Sequence, residues 1–406
     1  VKNSPYSFLN IDRPETMFPP SYDMYADDVY EAAKRRYEEQ KRDGVYIKDT
    51  KPCFYIYEQT MNGRTQTGVA ALSSVDDYLR GVCKKHENTV EAKERDRIHH
   101  VDTMSAQTGP IFLSYHADKR IDDIVAGQKK QNEPVYDFAG DDGITHRVWV
   151  IADENAVAEL ERLFRKLSCT YIADGHHRAA SAVKVALKRR EAAEASGSSD
   201  ADAEYNYFLS VLFPDRELEI MDYNRVVKDL NGYTVSGFLE ALENVYEVEC
   251  TSLLCEAKSP DIEKLMRPSH KYEVGMYLNG RSYKLKLRRE YAENVKDDPV
   301  KSLDVSVLQD EVLSKLLAIK DPRTDSRIKF VGGIRGLGEL VRDADAFTEE
   351  SRKSGVLVKN GPAAAFAMYP TSISELFEVA DAGLLMPPKS TWFEPKLRSG
   401  LFIHEF

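Results

Sequence analysis

The chain has 406 residues and is 42 % apolar, enough for two or three hydrophobic cores and too apolar for a disordered polymer. Lysine and arginine total 56 against 67 acidic residues, and the net charge of −11 argues against a surface built for nucleic acid or anionic membrane. Five cysteines, odd in number and without a Cys-x-x-Cys pair, point away from a disulfide framework or a zinc ribbon and toward reduced thiols in the cytosol.

No apolar run reaches the length of a membrane span and no signal-peptide pattern is present. The first residue is Val1 rather than methionine, so the numbering is expected to begin inside a longer natural chain. Residues 1–25, rich in proline and aromatics, read as irregular or edge structure. Asp27 and Asp28 are expected to cap a charged helix that runs to about Arg42 and stops at Gly44. Two strands follow, at residues 53–58 and 65–71, joined by Asn62-Gly63, a hairpin signal. A Ser-x-x-Asp cap at Ser74 predicts a helix over 74–85, and the dense charge of 87–100 predicts another. Strands are expected at 110–115 and 147–152.

Val157, Leu160, Leu163, Phe164 and Leu167 share one face at helical spacing. Residues 169–173 read as a short buried strand, 174–178 as a turn, and the alanine-rich stretch 179–190 as a helix. The low-complexity stretch 191–204 reads as a mobile loop, and 207–213 as a buried strand. A second Asn-Gly hairpin is expected at Asn279-Gly280, and a helix over 302–319 with Leu308, Val312, Leu316 and Ile319 on one face. The whole predicts an α+β protein of mixed sheets with flanking helices. Residues 1–215 form a core domain, and 216–406 a second α+β lobe whose C-terminal tail returns to the core.

The strand–turn–helix at Asp174-Gly175-His176-His177-Arg178 carries the strongest chemistry. Unpaired N–H groups and the helix dipole favour an anion at a helix start. Gly175 permits close approach of a ligand, and Arg178 offers a planar fork of donors to phosphate. His176 and His177 can donate to phosphate or exchange protons near neutral pH. Asp174 can hold magnesium through water or orient a histidine. Adjacent histidines point in different directions, which favours separate roles over a shared zinc ion. The competing reading makes Asp174 a helix cap and the histidines packing residues.

Three further segments have two readings each. Lys84, Lys85, His86, Glu87, Lys93, Arg95 and Arg97 are either a solvated helix face laced with ion pairs or a site. As a site, Glu87 accepts a hydroxyl proton, while Lys93 and Arg97 neutralise phosphate. The glycine run at 332–338 lacks the Gly-x-Gly-x-x-Gly spacing and reads as a structural turn rather than a dinucleotide loop. The basic, hydroxyl-rich end of the chain (Lys389, Ser390, Thr391, Lys396, Arg398, Ser399) is either a clamp that brings Lys389 to a bound phosphate or a tail docked through Trp392 and Phe393. No P-loop, His-Glu-x-x-His or Gly-x-Ser-x-Gly motif occurs.

The segment Tyr171-Ile172-Ala173-Asp174-Gly175-His176-His177-Arg178-Ala179-Ala180 resembles the signature of a large family of conserved bacterial proteins catalogued as domain of unknown function 1015. The resemblance extends to Pro5-Tyr6-Ser7-Phe8-Leu9, Gln66-Thr67-Gly68, Lys85-His86-Glu87-Asn88-Thr89 and Thr108-Gly109-Pro110, and to the closing motif at 386–396. The Asp-Gly-His-His-Arg element is also similar to one in free serine kinases of the ParB/sulfiredoxin-like superfamily. That likeness implies a ParB/sulfiredoxin-like nucleotide-binding core in which residues 174–178 hold the phosphates of ATP or ADP with magnesium. The expected activity is then phosphoryl transfer to a small hydroxyl substrate, free L-serine by analogy. A non-catalytic nucleotide-binding regulator and a ParB-like nucleic-acid-associated protein are the alternatives, and the acidic net charge disfavours the second.

Overall fold

In the computed structural model the described residues are 4–89, 91–198, 200–252, 261–355 and 357–406, without the side chains of 92, 93, 252 and 358. They form two compact α+β units, Val1–Leu218 with Pro395–Phe406, and Glu219–Glu394. No described helix is long and apolar enough to cross a membrane.

The strands of the first unit are β1 (Phe54–Met61), β2 (Arg64–Ser74), β3 (Cys83–Lys84), β4 (Ala106–Gln107), β5 (Ile111–Tyr115), β6 (Tyr136–Ala139), β7 (Thr145–Ile151), β8 (Thr170–Asp174) and β9 (Tyr207–Pro214). Eight of them make one mixed sheet in the order β3-β8-β5-β9-β2-β1-β7-β6. β3 runs parallel to β8 and β5 parallel to β9, while the other neighbours are antiparallel. The β1–β2 hairpin closes at Asn62, whose left-handed backbone (φ 52°) suits the twist of a two-residue turn.

The helices of this unit are α1 (Leu9–Asp12), α2 (Asp27–Arg42), α3 (Val75–Leu79), α4 (Glu91–Met104), α5 (Lys119–Gln131), α6 (Glu154–Phe164) and α7 (His176–Ser196). α6 turns Leu160 and Leu163 into the core, with Val157, Phe164 and Leu167 packed beside them. Each fully buried leucine contributes about 1.5–3 kcal/mol. α7 buries Ala179, Ala182, Val183 and Ala186 against Ile111, Leu113, Ile172 and Phe208, and its small side chains let the helix lie close on the sheet.

Several expectations need correction. Asp27 and Asp28 lie inside the first turn of α2, after Ala26 as the flanking residue. Ser74 does cap a helix, accepting from the Asp76 N–H, but α3 ends at Leu79 and the chain returns as β3. Parallel pairing with β8 overrides local helix propensity there. The second charged helix begins at Glu91, so Glu87 lies outside it. Residues 191–196 continue α7 instead of forming a loop, because alanine and straight-chain residues sustain the helix to the left-handed Gly197. Two elements absent from the expectations are α5, capped by Asp118 and packed on the core through Ile121, Ile124 and Val125, and the largely exposed β6.

The second unit contains β10 (Ile220–Met221), β11 (Tyr223–Val227), β12 (Tyr246–Ser252), β13 (Glu273–Leu278), β14 (Arg281–Leu287), β15 (Ile328–Gly332), β16 (Ala364–Ala367) and β17 (Trp392–Phe393). Six form an antiparallel sheet, β12-β14-β13-β16-β11-β15, packed against the helix Leu337–Lys353 through Leu340, Val341 and Ala344. The expected helix over 302–319 is an α-turn, Asp304–Val307, followed by a π-helical stretch, Leu308–Ser314. The bond from Leu317 N–H to the Val312 carbonyl shifts the face by one residue, so Leu317 is buried in place of Leu316. The glycine run is a structural turn. A Cβ on Gly332 would lie 2.7 Å from the Trp392 ring, so the indole packs where only glycine leaves room.

Candidate functional site

The site lies in the first unit, at the end of β8. Asp174 closes the strand opposite Phe112, where the β5–β8 register shifts between Phe112 and Leu113. Such an irregularity redirects side chains at a strand end. Gly175 alone makes the turn, with φ 95° and ψ 28°, and α7 starts at His176 without a side-chain cap. The expected five-residue turn is therefore one residue long. His176, His177 and Arg178 occupy the first helical turn and face three directions, as the pitch of a helix requires.

Asp174 Oδ1 accepts from the Gly175 N–H at 2.9 Å, and Oδ2 accepts from Lys396 Nζ at 3.1 Å. Partial burial acts to raise the Asp174 pKa, but the charge and hydrogen bond of Lys396, with Arg178 behind, outweigh it and hold the carboxyl below its ordinary value. Arg178 Nη1 donates to the Pro110 carbonyl at 3.0 Å, and its guanidinium and the Ser399 hydroxyl flank Gly109. Arg178 is otherwise solvent-exposed.

Lys396 reaches Asp174 because residues 395–400 strap across the unit. Gln59 and Gln66 donate to the carbonyls of Lys396 and Pro395, and the Gly400 N–H donates to Thr108. A short strand, β18 (His404–Glu405), then pairs with β4. Residues 395–400 belong to the first unit, whereas Trp392 and Phe393 form β17 in the second, paired with β10. Lys389 belongs to the second unit, where its carbonyl accepts from the buried Arg225 and its ammonium lies 5.7 Å from the Tyr223 ring centre.

His176 is buried beside His86, with ring centres 4.5 Å apart and planes at 89°. The His86 N–H points at His176 Nε2 from 3.5 Å. Burial pushes the His86 pKa down to about 4 and that of His176 well below its ordinary value, the latter helped by the neighbouring His86, His177 and Lys85. Glu87, half-buried in the loop after β3, brings a carboxylate oxygen to the same place: ligand atoms of His86, Glu87 and His176 all lie within 4.8 Å of one another. His177 lies on another side, where its charge helps lower the pKa of Glu94.

Glu94 is buried on α4 and accepts from Thr89 and from Lys184 of α7. Burial would raise its pKa, and these two donors with the Lys184 charge bring it below the ordinary value. Arg97 pairs with Asp12 Oδ1 at 3.3 Å, which also accepts from Thr108 Oγ1. Arg97, Asp12, Thr108, Gly109 and Arg178 line a hollow of about 30 Å³, room for one water. The side chain of Lys93 lies outside the described residues.

The fold thus brings Asp174, Gly175, His176, Arg178 and Glu87 to one helix end and places Arg97 on a hollow that Arg178 also lines. The sequence names His86 and Lys396 only as members of a charge cluster and of the C-terminal segment, and gives Asp12 and Glu94 no role. His86 and Lys396 stand within motifs that carry the family resemblance. Nothing local marks Asp12 or Glu94.

The family described as "Protein of unknown function (DUF1015)" matches residues 1–306. The chain belongs to the DUF1015 family. A comparison with curated proteins gave no significant match. Among solved structures, this DUF1015 chain is similar to SbnI with a C-terminal truncation from Staphylococcus aureus, at 10 % identity and TM-score 0.39, covering 82 % of this chain and 87 % of that one. It is also similar to a free serine kinase in complex with AMP, at 14 % identity and TM-score 0.33, covering 80 % and 86 % of the two chains. A mutant free serine kinase in complex with ADP gives 13 % identity and TM-score 0.33 over 80 % and 87 %.

Proposed function

We propose that the first unit binds the phosphates of ATP or ADP at the N-terminus of α7 and transfers a phosphoryl group to a small hydroxyl compound, with free L-serine as the acceptor by analogy. The observation that carries this reading is the convergence of three features at one point. The 21-residue helix α7 starts without a side-chain cap, Arg178 stands in its first turn, and Lys396 reaches the preceding Asp174. The helix end and two cations favour a polyanion, and phosphoryl transfer depends chiefly on positioning and charge neutralisation.

Both oxygens of Asp174 already have donors, so its chemistry suits contact with magnesium through water rather than direct ligation. Nucleotide and magnesium supply the activated phosphoryl group and part of the charge neutralisation. Lys396 and Arg178 hold negative oxygens, Gly175 leaves space for them, and Glu87 takes the proton of the acceptor hydroxyl at a carboxylate oxygen. His177, turned toward Glu94 on another side of the helix, takes no part in holding the phosphates.

The test is a thermal-shift series with ATP, ADP and AMP, with and without magnesium. The parent should be stabilised, and Arg178→Ala and Lys396→Ala should lose most of that shift. If no nucleotide stabilises the parent, the reading fails. Nucleotide turnover with L-serine and other hydroxyl compounds then separates an enzyme from a regulator. Glu87→Gln should keep the nucleotide shift and lose turnover by roughly 100-fold or more.

A further inference from the structure

We infer that His86, Glu87 and His176 form a binding site for one first-row divalent transition-metal ion. Two imidazoles and a carboxylate supply three ligand atoms within 4.8 Å of one another. The imidazole rings meet edge to face at 89°, an arrangement that lets ring nitrogens converge on a point instead of stacking. With bonds of about 2.1 Å, neighbouring ligands of a filled tetrahedral site stand roughly 3.4 Å apart. Inward side-chain rotations of about an ångström therefore close the site.

The scaffold fixes all three residues. His176 is the first residue of α7, and His86 and Glu87 are consecutive in the loop after β3. The His86 ring hydrogen-bonds the backbone of Ile172 on β8, the kind of outer contact that orients a ligating imidazole. The contact from the His86 N–H to His176 Nε2 is at the outer limit of a hydrogen bond, so a metal ion displaces little there.

The donor set also selects the ion. Imidazole with one carboxylate suits zinc, cobalt, iron(II) or manganese, whereas magnesium and calcium prefer all-oxygen shells. The site is thus distinct from any magnesium carried by a nucleotide. Three protein ligands leave coordination positions open to water or a ligand oxygen. The inference does not depend on the phosphotransferase reading, and one oxygen of Glu87 suffices for ligation.

The experiment uses the full chain, stripped with a chelator and titrated with Co²⁺ and then Zn²⁺. One equivalent of Co²⁺ should produce visible d–d bands, and Zn²⁺ should abolish them. His86→Ala and His176→Ala should each weaken binding by roughly 100-fold, while His99→Ala should leave it unchanged. Unaltered binding in both site variants, or no binding to the parent, overturns the inference. Should either variant lose its far-UV dichroism, zinc K-edge absorption of the unsubstituted protein decides. Two imidazole nitrogens and a carboxylate oxygen support the site, and a sulfur or all-water shell refutes it. Arg178→Ala separates the two readings: it should bind Co²⁺ normally whether or not it binds nucleotide.

Discussion

Lys396 and Asp174 are 222 positions apart in the chain and 3.1 Å apart in the fold. This pair ties the C-terminal strap to the entrance of α7. Removing the ammonium with Lys396→Met should raise the Asp174 pKa, readable by carboxyl ¹³C titration. The pair is nearly half exposed, so its share of stability is small, about 0–1 kcal/mol. The folded carboxyl titrates below its unfolded value, so this share is present above about pH 3.9 and vanishes as pH falls through the folded pKa. Thermal midpoints of parent and variant should therefore differ slightly at pH 7 and converge in acid. Equal Asp174 titrations in the two proteins would remove the pair from the account.

Gly175 holds φ 95° with Ile111 Cα 3.6 Å from where a Cβ would stand. The space is ordinary but the backbone conformation is not. Gly175→Ala should cost about 1–3 kcal/mol through strain at a position that L side chains avoid. A fall in the thermal midpoint with unchanged helix content is the expected measurement. An unchanged midpoint would show that the turn has another conformation.

The buried imidazoles give the first unit a pH dependence of definite sign. In an unfolded chain both rings take up protons near pH 6.5, whereas folded His86 does so at about 4 and folded His176 well below its ordinary value. Above pH 6.5 both states are neutral and the rings contribute no slope. As pH falls from about 6.5 toward 4 the unfolded state binds more protons, and stability drops by up to about 1.4 kcal/mol per pH unit for each ring. Thermal midpoints of the metal-free protein between pH 8 and 5 measure this, and His86→Gln should flatten part of the fall. A variant as pH-sensitive as its parent would contradict the assignment.

Glu94 depends on a partner from another helix. Lys184→Met leaves a buried carboxylate with Thr89 and the nearby His177. The Glu94 pKa should rise, and the first unit should lose about 1–3 kcal/mol as the carboxylate gives up its cation. Glu94→Gln together with Lys184→Met should recover part of that loss, because no charge is then buried. No recovery in the double variant would mean that the two side chains do not interact.

The hairpins, the strand–turn–helix at Asp174 and the apolar face of α6 were legible because each rests on neighbours within a few residues. Asn62 and Gly63, both left-handed, turn the chain between β1 and β2, and Leu160 and Leu163 fall on one face by the period of a helix. β3 was read as helix because its strand character comes from pairing with β8, far along the chain. The end of α7 has the low-complexity composition of a loop, yet its alanines and straight-chain residues sustain the helix to Ser196. Glu87 lies in the loop before α4 and not on the expected helix, beside His86 and His176, and the side chain of Lys93 lies outside the described residues.

By itself the sequence determined the acidic charge balance, the alternation of strands and helices, and the dense chemistry of Asp174-Gly175-His176-His177-Arg178, since composition and local periodicity depend only on residue order. Only tertiary structure decided that Lys396 meets Asp174, that Glu94 takes its cation from α7, and that His86 and Glu87 face His176. Those meetings depend on which strands pair and which helix faces pack, a choice made by burial across the whole sheet and invisible to any local window.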